Sequence, residues 1–380
     1  MAAKKNAIAA AKLAIETCNS AEQSLKSIDA SNAPTLDTPL AVIQKDMRAI
    51  LSMLYFSTTK LSLAMSQQEY SAALSPLKDI TVQIPTLMHC ISLFDGDLVG
   101  KTLAQEVRMV AIDVIVSTAA LLQSFVKGEG PATASKEYLF RTGSVHEIID
   151  AARGAKGISD NNTVAVKKKW AANQAPMEDG IKELAESIEK AKSESPAEEE
   201  TEDDFDDGWD ELGISSDDKM DADELVRAEK GHVVLRLCSM LHKRVARDLL
   251  TITPASSVDN TLLDSLPTFS ANLLSHADDL IMSFEAPQEK SQILECLDGL
   301  VEQIHDLRGT LKPLLLEPVS AGLGKPISAG PTEPDGDTAK NDAPKTDKPS
   351  PTKWFETCFV QIDKGADALR ALLQEQSNAS

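Results

Sequence analysis

The sequence predicts an all-α protein built as two antiparallel helical bundles joined by an acidic linker. Three observations carry that expectation. Apolar residues recur at alternating spacings of three and four, which lays them along one stripe of a helix. No alternating strand pattern occurs, and aromatic residues make up only 4% of the 380 residues. Long aliphatic stripes separated by short polar breaks suit antiparallel bundles.

In order along the chain, the first helix has Ile8, Ala11, Ile15, Cys18, Leu25 and Ile28 on its stripe. The second has Leu40, Ile43, Met47, Ile50, Leu54 and Leu61, and opens on Thr38-Pro39, read as a cap followed by proline at the first helical position. The third has Leu77, Ile80, Ile84, Leu87, Ile91 and Phe94, with a kink expected at Pro85. The fourth has Leu103, Val107, Val110, Val114 and Leu121. A Gly/Pro break at 128–131 precedes shorter helices over 135–153, and one longer helix is expected over 162–192 with Met177, Ile181, Leu184 and Ile188 inward.

The stripes resume with Val234, Cys238, Leu241, Val245 and Leu249, then Leu262, Leu266, Phe269, Leu273, Leu280 and Phe284. Next come Ile293, Leu297, Leu300, Ile304, Leu307, Leu311 and Leu314. Residues 317–351 hold seven Pro and four Gly, a composition expected to form a mobile linker. A last helix has Phe355, Cys358, Ile362, Leu369 and Leu372, and can join either bundle. The expected domains are therefore a bundle over 1–192, an acidic linker over 193–220, a bundle over 221–316, the linker over 317–351 and a terminal helix over 352–380.

Charge is unevenly placed. Residues 194–224 carry sixteen Asp and Glu against one Lys, so −15 of the formal −21 sits there and the rest of the chain carries −6. A nucleic-acid partner needs a basic footprint on the protein, so direct DNA or RNA binding is not expected. Five Cys with no CxxC pair argue against a disulfide framework and for a reducing compartment. No run reads as long enough to span a bilayer and the N-terminus lacks the apolar stretch of a signal peptide, so a soluble, cytoplasmic and nuclear protein is expected, with no membrane partner.

Chemistry finds little support. "GDLVGKT", Gly96 to Thr102, is one residue short of a P-loop between its glycines and follows a helical pattern where that motif needs a strand; it reads as an interhelical turn with Thr102 near a helix start. Cys238 and His242 share a helix face, but two ligands do not make a zinc site, and they read as a core thiol beside a boundary imidazole. "VKKKW", Val166 to Trp170, is a short basic cluster. No catalytic, cofactor-binding or metal-binding residues are expected.

What remains is surface. Arg236, Lys243 and Arg247 fall opposite an apolar stripe, either as a solvated face or as a docking ridge for an acidic peptide. In the acidic segment, Phe205, Trp209 and Leu212 are offset by four and three, which aligns them on one face of a helix formed on binding. They read as a docking element for a partner or for the same chain, or as a clasp on a bundle edge. Thr201 and Ser215 are each followed closely by acidic residues, a context that suits an acidophilic kinase.

Four stretches in order, "TTKLSLAMS" (58–66), "GKTLAQEVRMVAIDVI" (100–115), "RTGSVHEIIDAARG" (141–154) and "EDDFDDGWDELG" (202–213), resemble the cyclin-D-interacting protein family, also called GCIP or Maid. The resemblance implies an all-helical fold akin to vinculin and catenin bundles. It implies a non-enzymatic negative regulator of cell-cycle progression or transcription, with cyclin or helix-loop-helix-type partners. The chain lacks a basic DNA-contacting region, which fits sequestration of partners away from DNA. The alternative is a vinculin- or catenin-like structural adaptor for cytoskeletal partners.

Overall fold

The computed structural model describes residues 1–27, 38–127, 137–193, 220–251, 259–316 and 351–378. Among them there is no strand, and the fold is all-α. Contacts divide the chain into two compact units, Met1–Lys168 with Pro254–Ser265, and Lys169–Thr253 with Leu266–Ser380. The sequence expectation drew its boundary at 192 instead. The acidic segment 194–219 and residues 317–350 lie outside the described residues.

In the first unit, α1 (Ala2–Ser27), α2 (Leu40–Ser66), α3 (Leu74–Ser92), α5 (Lys101–Lys127) and α6 (Glu137–Arg153) close a ring. α1 packs on α5, α5 on α6, α6 on α2, α2 on α3, and α3 back on α1. The single-turn α4 (Gly96–Val99) leads into α5. The aliphatic stripes of α2, α3 and α5 face inward as read from sequence, and α3 runs through Pro85 without interruption.

Four sequence expectations are corrected. The centre of α1 is Ala7, Ala11, Ala14, Cys18, Ala21 and Leu25, while Ile8 and Ile15 flank it half-buried. Small side chains let α1 approach its neighbours closely, which weighting the isoleucines obscured. Pro39 precedes α2 rather than occupying its first turn: its ψ of 135° is extended, and its carbonyl accepts from Val42 and Ile43. The single helix over 162–192 is two, α7 (Asn162–Ala171) and α8 (Gln174–Ser193). Pro176 has no N–H to give the carbonyl of Ala172, and its ring would clash there. Finally, α5 is long and apolar enough by length and composition to cross a membrane. In the structure, α1, α3 and α6 take its apolar surface, and Leu103, Val107, Val114, Ile115, Leu121 and Leu122 are buried.

The start of α5 is closed from a distance. Gly100 has φ +96°, a conformation that side-chain-bearing residues rarely adopt, and a Cβ there would meet Asn162 Cγ at 1.9 Å. The Asp264 carboxylate accepts from Lys101 N at 2.8 Å, Thr102 N at 2.9 Å and Thr102 Oγ1 at 2.7 Å. Asn162 accepts from Leu103 N at 3.1 Å and donates to Asp264 at 3.0 Å. "GDLVGKT" is thus an interhelical turn whose backbone donors are already taken by a protein carboxylate, the place a phosphate would occupy in a nucleotide-binding loop.

The second unit is arranged around α9 (Ala222–Arg244), which ends in a π-helical turn, Val245–Leu249. α9 packs on α8 and on α12 (Pro351–Asn378), and α12 on α11 (Lys290–Leu316). α10 (Asn260–Met282) touches α11 through Asn272 and Gln303, 2.9 Å apart, and faces α8 where Gly180 meets Ile281. The last helix, open in sequence, belongs to this unit.

Replacing Asp264 with Ala removes a helix cap and strands buried donors, so a loss of roughly 2–3 kcal/mol is expected. Thermal unfolding followed by circular dichroism checks it: a lower melting temperature with native helix content at 20 °C is the expected result.

Candidate interaction surface

α9 is held in place on most of its circumference. At its start Asp221 accepts from Glu224 N at 2.7 Å and Glu224 accepts from Asp221 N at 2.9 Å, a capping box. The other Glu224 oxygen accepts from Gln288 N at 2.7 Å. Buried Arg227 donates to Gln288 at 2.9 Å and to Gln376 at 2.6 Å, joining the helix start to the α10–α11 connection and to α12. One turn on, Gly231 makes room for the fully buried Phe284 ring: a Cβ would lie 2.0 Å from it.

Towards the end of α9 lies a buried polar cluster. The His242 ring stacks on Trp170 with centroids 4.6 Å apart. Trp170 Nε1 donates to the His242 carbonyl at 2.9 Å. Gln174 directs its amide nitrogen to Glu178 and Ser239, so its oxygen faces His242 Nδ1 at 2.7 Å and accepts a hydrogen bond from it. Nε2 then faces Ser270 Oγ at 2.7 Å, whose single hydroxyl proton is shared between it and the Trp170 carbonyl at 3.1 Å. Burial pushes the imidazole down to about 4, with Glu178 opposing, so His242 is neutral.

Both His242 nitrogens are therefore used, and burial raises the Cys238 thiol. The pair is a core thiol and a fully buried imidazole rather than a boundary one. All five cysteines are free; burial pushes Cys18 up to about 12, and Cys90 and Cys358 to about 11. No group of three or more His, Cys, Asp or Glu that could hold a metal occurs among the described residues. Of "VKKKW", Val166 and Trp170 are buried and Lys168 pairs with Glu106 at 2.6 Å.

One face of α9 remains outside. Arg236, Lys243 and Arg247 are all exposed on it. Lys243 pairs with Glu178 at 3.2 Å and Arg247 with Asp248 at 2.7 Å, while Arg236 has no ion pair among the described residues. Sequence reasoning missed the apolar half of this face: Val226, Val233 (54% exposed) and Met240 (50% exposed) run beside the basic residues. Their spacing of seven was the available signal, because two helical turns nearly return a side chain to the same line. His232, beside Arg236, is held below its ordinary value, first by burial and then by the positive charges of Arg236 and Lys192.

The first unit has its own exposed apolar stripe on α2, formed by Val42, Met53, Phe56 (63% exposed) and Leu63, with Leu139 and Phe140 exposed on α6. α6 is fixed beside α2 by Ser62–Thr142 at 2.6 Å and by Tyr55 stacked on His146. Phe205, Trp209, Leu212, Thr201 and Ser215 lie outside the described residues.

Packed helices that leave apolar and basic faces exposed define a helical protein with surfaces suited to other proteins. Residues 46–190 match the family model described as Grap2 and cyclin-D-interacting, N-terminal, and over that stretch the chain is similar to this family. The family is named for protein–protein interaction. Comparison with curated proteins finds no match.

Two outcomes test the placement of α9. Gly231→Ala forces the Phe284 ring to move, at a cost of about 1–3 kcal/mol, read as a lower urea midpoint. His242 takes its proton near 4 when folded and near 6.5 when unfolded, so between those values the unfolded chain binds more protons. Stability present at neutral pH is therefore lost as pH falls from 6.5 to 4, by about 3 kcal/mol from this group. Urea unfolding at pH 7 and pH 4.5 should show that drop, and His242→Gln should flatten it.

Proposed function

We propose that this chain is a non-enzymatic interaction protein that restrains cell-cycle progression or transcription by binding a cyclin or a helix-loop-helix-type factor. The observation that carries the reading is the match of residues 46–190 to a family named for interaction with Grap2 and cyclin D. The α2 stripe supports it: Met53, Phe56 and Leu63 lie in the matched stretch and are exposed, where a partner's apolar surface can cover them. Nuclear and cytoplasmic location follows from such partners. Within the same reading, Phe205, Trp209 and Leu212 form a docking element, and Thr201 and Ser215 accept phosphate from an acidophilic kinase, each adding about −1.5 to −2 charges.

Titration of the purified chain against a purified D-type cyclin, and separately against a helix-loop-helix dimer, tests the reading. Binding to one of them is expected, with affinity reduced at least about tenfold by Phe56→Glu with Leu63→Glu, a loss typical of central apolar anchors. The double variant should keep its helical circular dichroism, since both side chains are exposed. Binding to neither overturns the proposal. Binding instead to actin-associated proteins moves the chain to the adaptor class.

A further inference from the structure

α8 and α9 bracket the acidic segment. α8 ends at Ser193 and α9 begins at Ala222, and both belong to the second unit. Their adjoining ends are together, because Lys192 Nζ lies 3.0 Å from Glu229 Oε1. The intervening residues, 194–221, therefore leave and return beside the end of α9 that carries Val226. From Val226 to Met240 the outer face of α9 extends about 21 Å at the helical rise. Eleven residues lie between Ser193 and Phe205 and nine between Leu212 and Ala222, each stretch able to span roughly 30 Å or more when extended. Either arm reaches the whole face.

The chemistry of segment and face is complementary. Residues 202–213 carry seven Asp and Glu and no Lys or Arg, together with Phe205, Trp209 and Leu212. The face offers an apolar line, Val226, Val233 and Met240, flanked by Arg236, Lys243 and Arg247. The existing pair of Lys243 with Glu178 is solvent-exposed, and Asp248, the partner of exposed Arg247, is also held by Arg244, so exchanging these pairs for carboxylates of the segment costs little. Arg236 has no ion pair to give up among the described residues, and it adds to the lowering of His232 that burial begins. A tether this short holds the segment at an effective concentration in the millimolar range, so modest contacts suffice.

We propose that the outer face of α9 is the docking site of the chain's own acidic segment, residues 202–213. Phe205, Trp209 and Leu212 cover the Val226–Val233–Met240 line, and the carboxylates between them meet Arg236, Lys243 and Arg247. An acidic, aromatic peptide of a partner competes for the same face and must displace the tethered segment.

Zero-length carbodiimide cross-linking of the full chain, mapped by mass spectrometry, tests this, because it joins carboxylates only to amines in direct contact. Links from residues 202–211 to Lys243 are expected within single chains, at a yield that does not change on dilution. Phe205→Ala with Trp209→Ala, or Val233→Glu with Met240→Glu, should lower that yield at least about tenfold, as loss of central apolar anchors does. The Lys243–Glu178 link should persist in these variants and report that α8 and α9 remain packed. In parallel, acrylamide quenching of Trp209, taken as the difference from a Trp209→Phe chain, should rise in Arg236→Glu with Lys243→Glu. Links scattered over lysines elsewhere, links unaltered by the variants, or links only between chains that grow with concentration would each overturn the proposal. The chain is measured alone, so this result is independent of whether a cyclin or helix-loop-helix factor binds.

Discussion

The Phe284 ring occupies the space where α9 would carry a side chain at position 231, since a Cβ there would come within 2.0 Å of it. Close approach of this kind is what the rest of the structure depends on. With aromatics at 4% of the sequence, the chain has few large side chains with which to fill gaps between helices. It approaches interior packing density by bringing backbones together: Ala7, Ala14 and Ala21 along α1, Gly180 against α10, and Gly365, where a Cβ would come within 3.0 Å of Val234. The aliphatic stripes then interdigitate across short distances, and buried aromatics such as Phe284 fill the space a missing side chain leaves.

Polar groups trapped by such packing have to be paired, and the second unit pairs them in two clusters at opposite ends of α9. At one end Glu224, Arg227, Gln288 and Gln376 satisfy one another and anchor the helix start. At the other, Trp170, Gln174, Ser270 and His242 do so with no net charge. Between these anchors only the outer face of the helix is left to solvent. The exposed residues Arg236 and Met240 are thereby presented on a rigid rod rather than a loop, which lowers the ordering cost of any contact they make.

Much of the fold was legible because long helices advertise themselves. Leu77, Ile80, Ile84, Leu87 and Ile91 form a stripe that admits one reading, and all are buried. The misreading of α1 has a plain cause: rank-ordering side chains by hydrophobicity favours Ile8 and Ile15 over alanines whose value is their smallness. The stripe of α5 was read, but its apolar length was not, because Glu106, Arg108 and Asp113 interrupt the run. Of the surface, the charges of Arg236, Lys243 and Arg247 were legible as a ridge. Val233 and Met240 were not, because an apolar residue in a helix is assigned inward by default and only packing reveals which ones face out. The roles of Asp264 and Asn162 were out of reach, since capping by a residue so distant in sequence leaves no local pattern.

That distant cap bears on how the molecule is made. Lys101 and Thr102 leave the ribosome long before Asp264, with the whole of α6 to α9 synthesised in between. A nascent first unit can collapse its aliphatic stripes as soon as α6 emerges, but the amides opening α5 stay bonded to water until the 259–265 stretch arrives. Completion of the N-terminal fold is therefore a late event in translation, gated by chain that lies beyond the acidic segment. An N-terminal fragment cut before residue 254 would retain its core residues and still end with an open helix start.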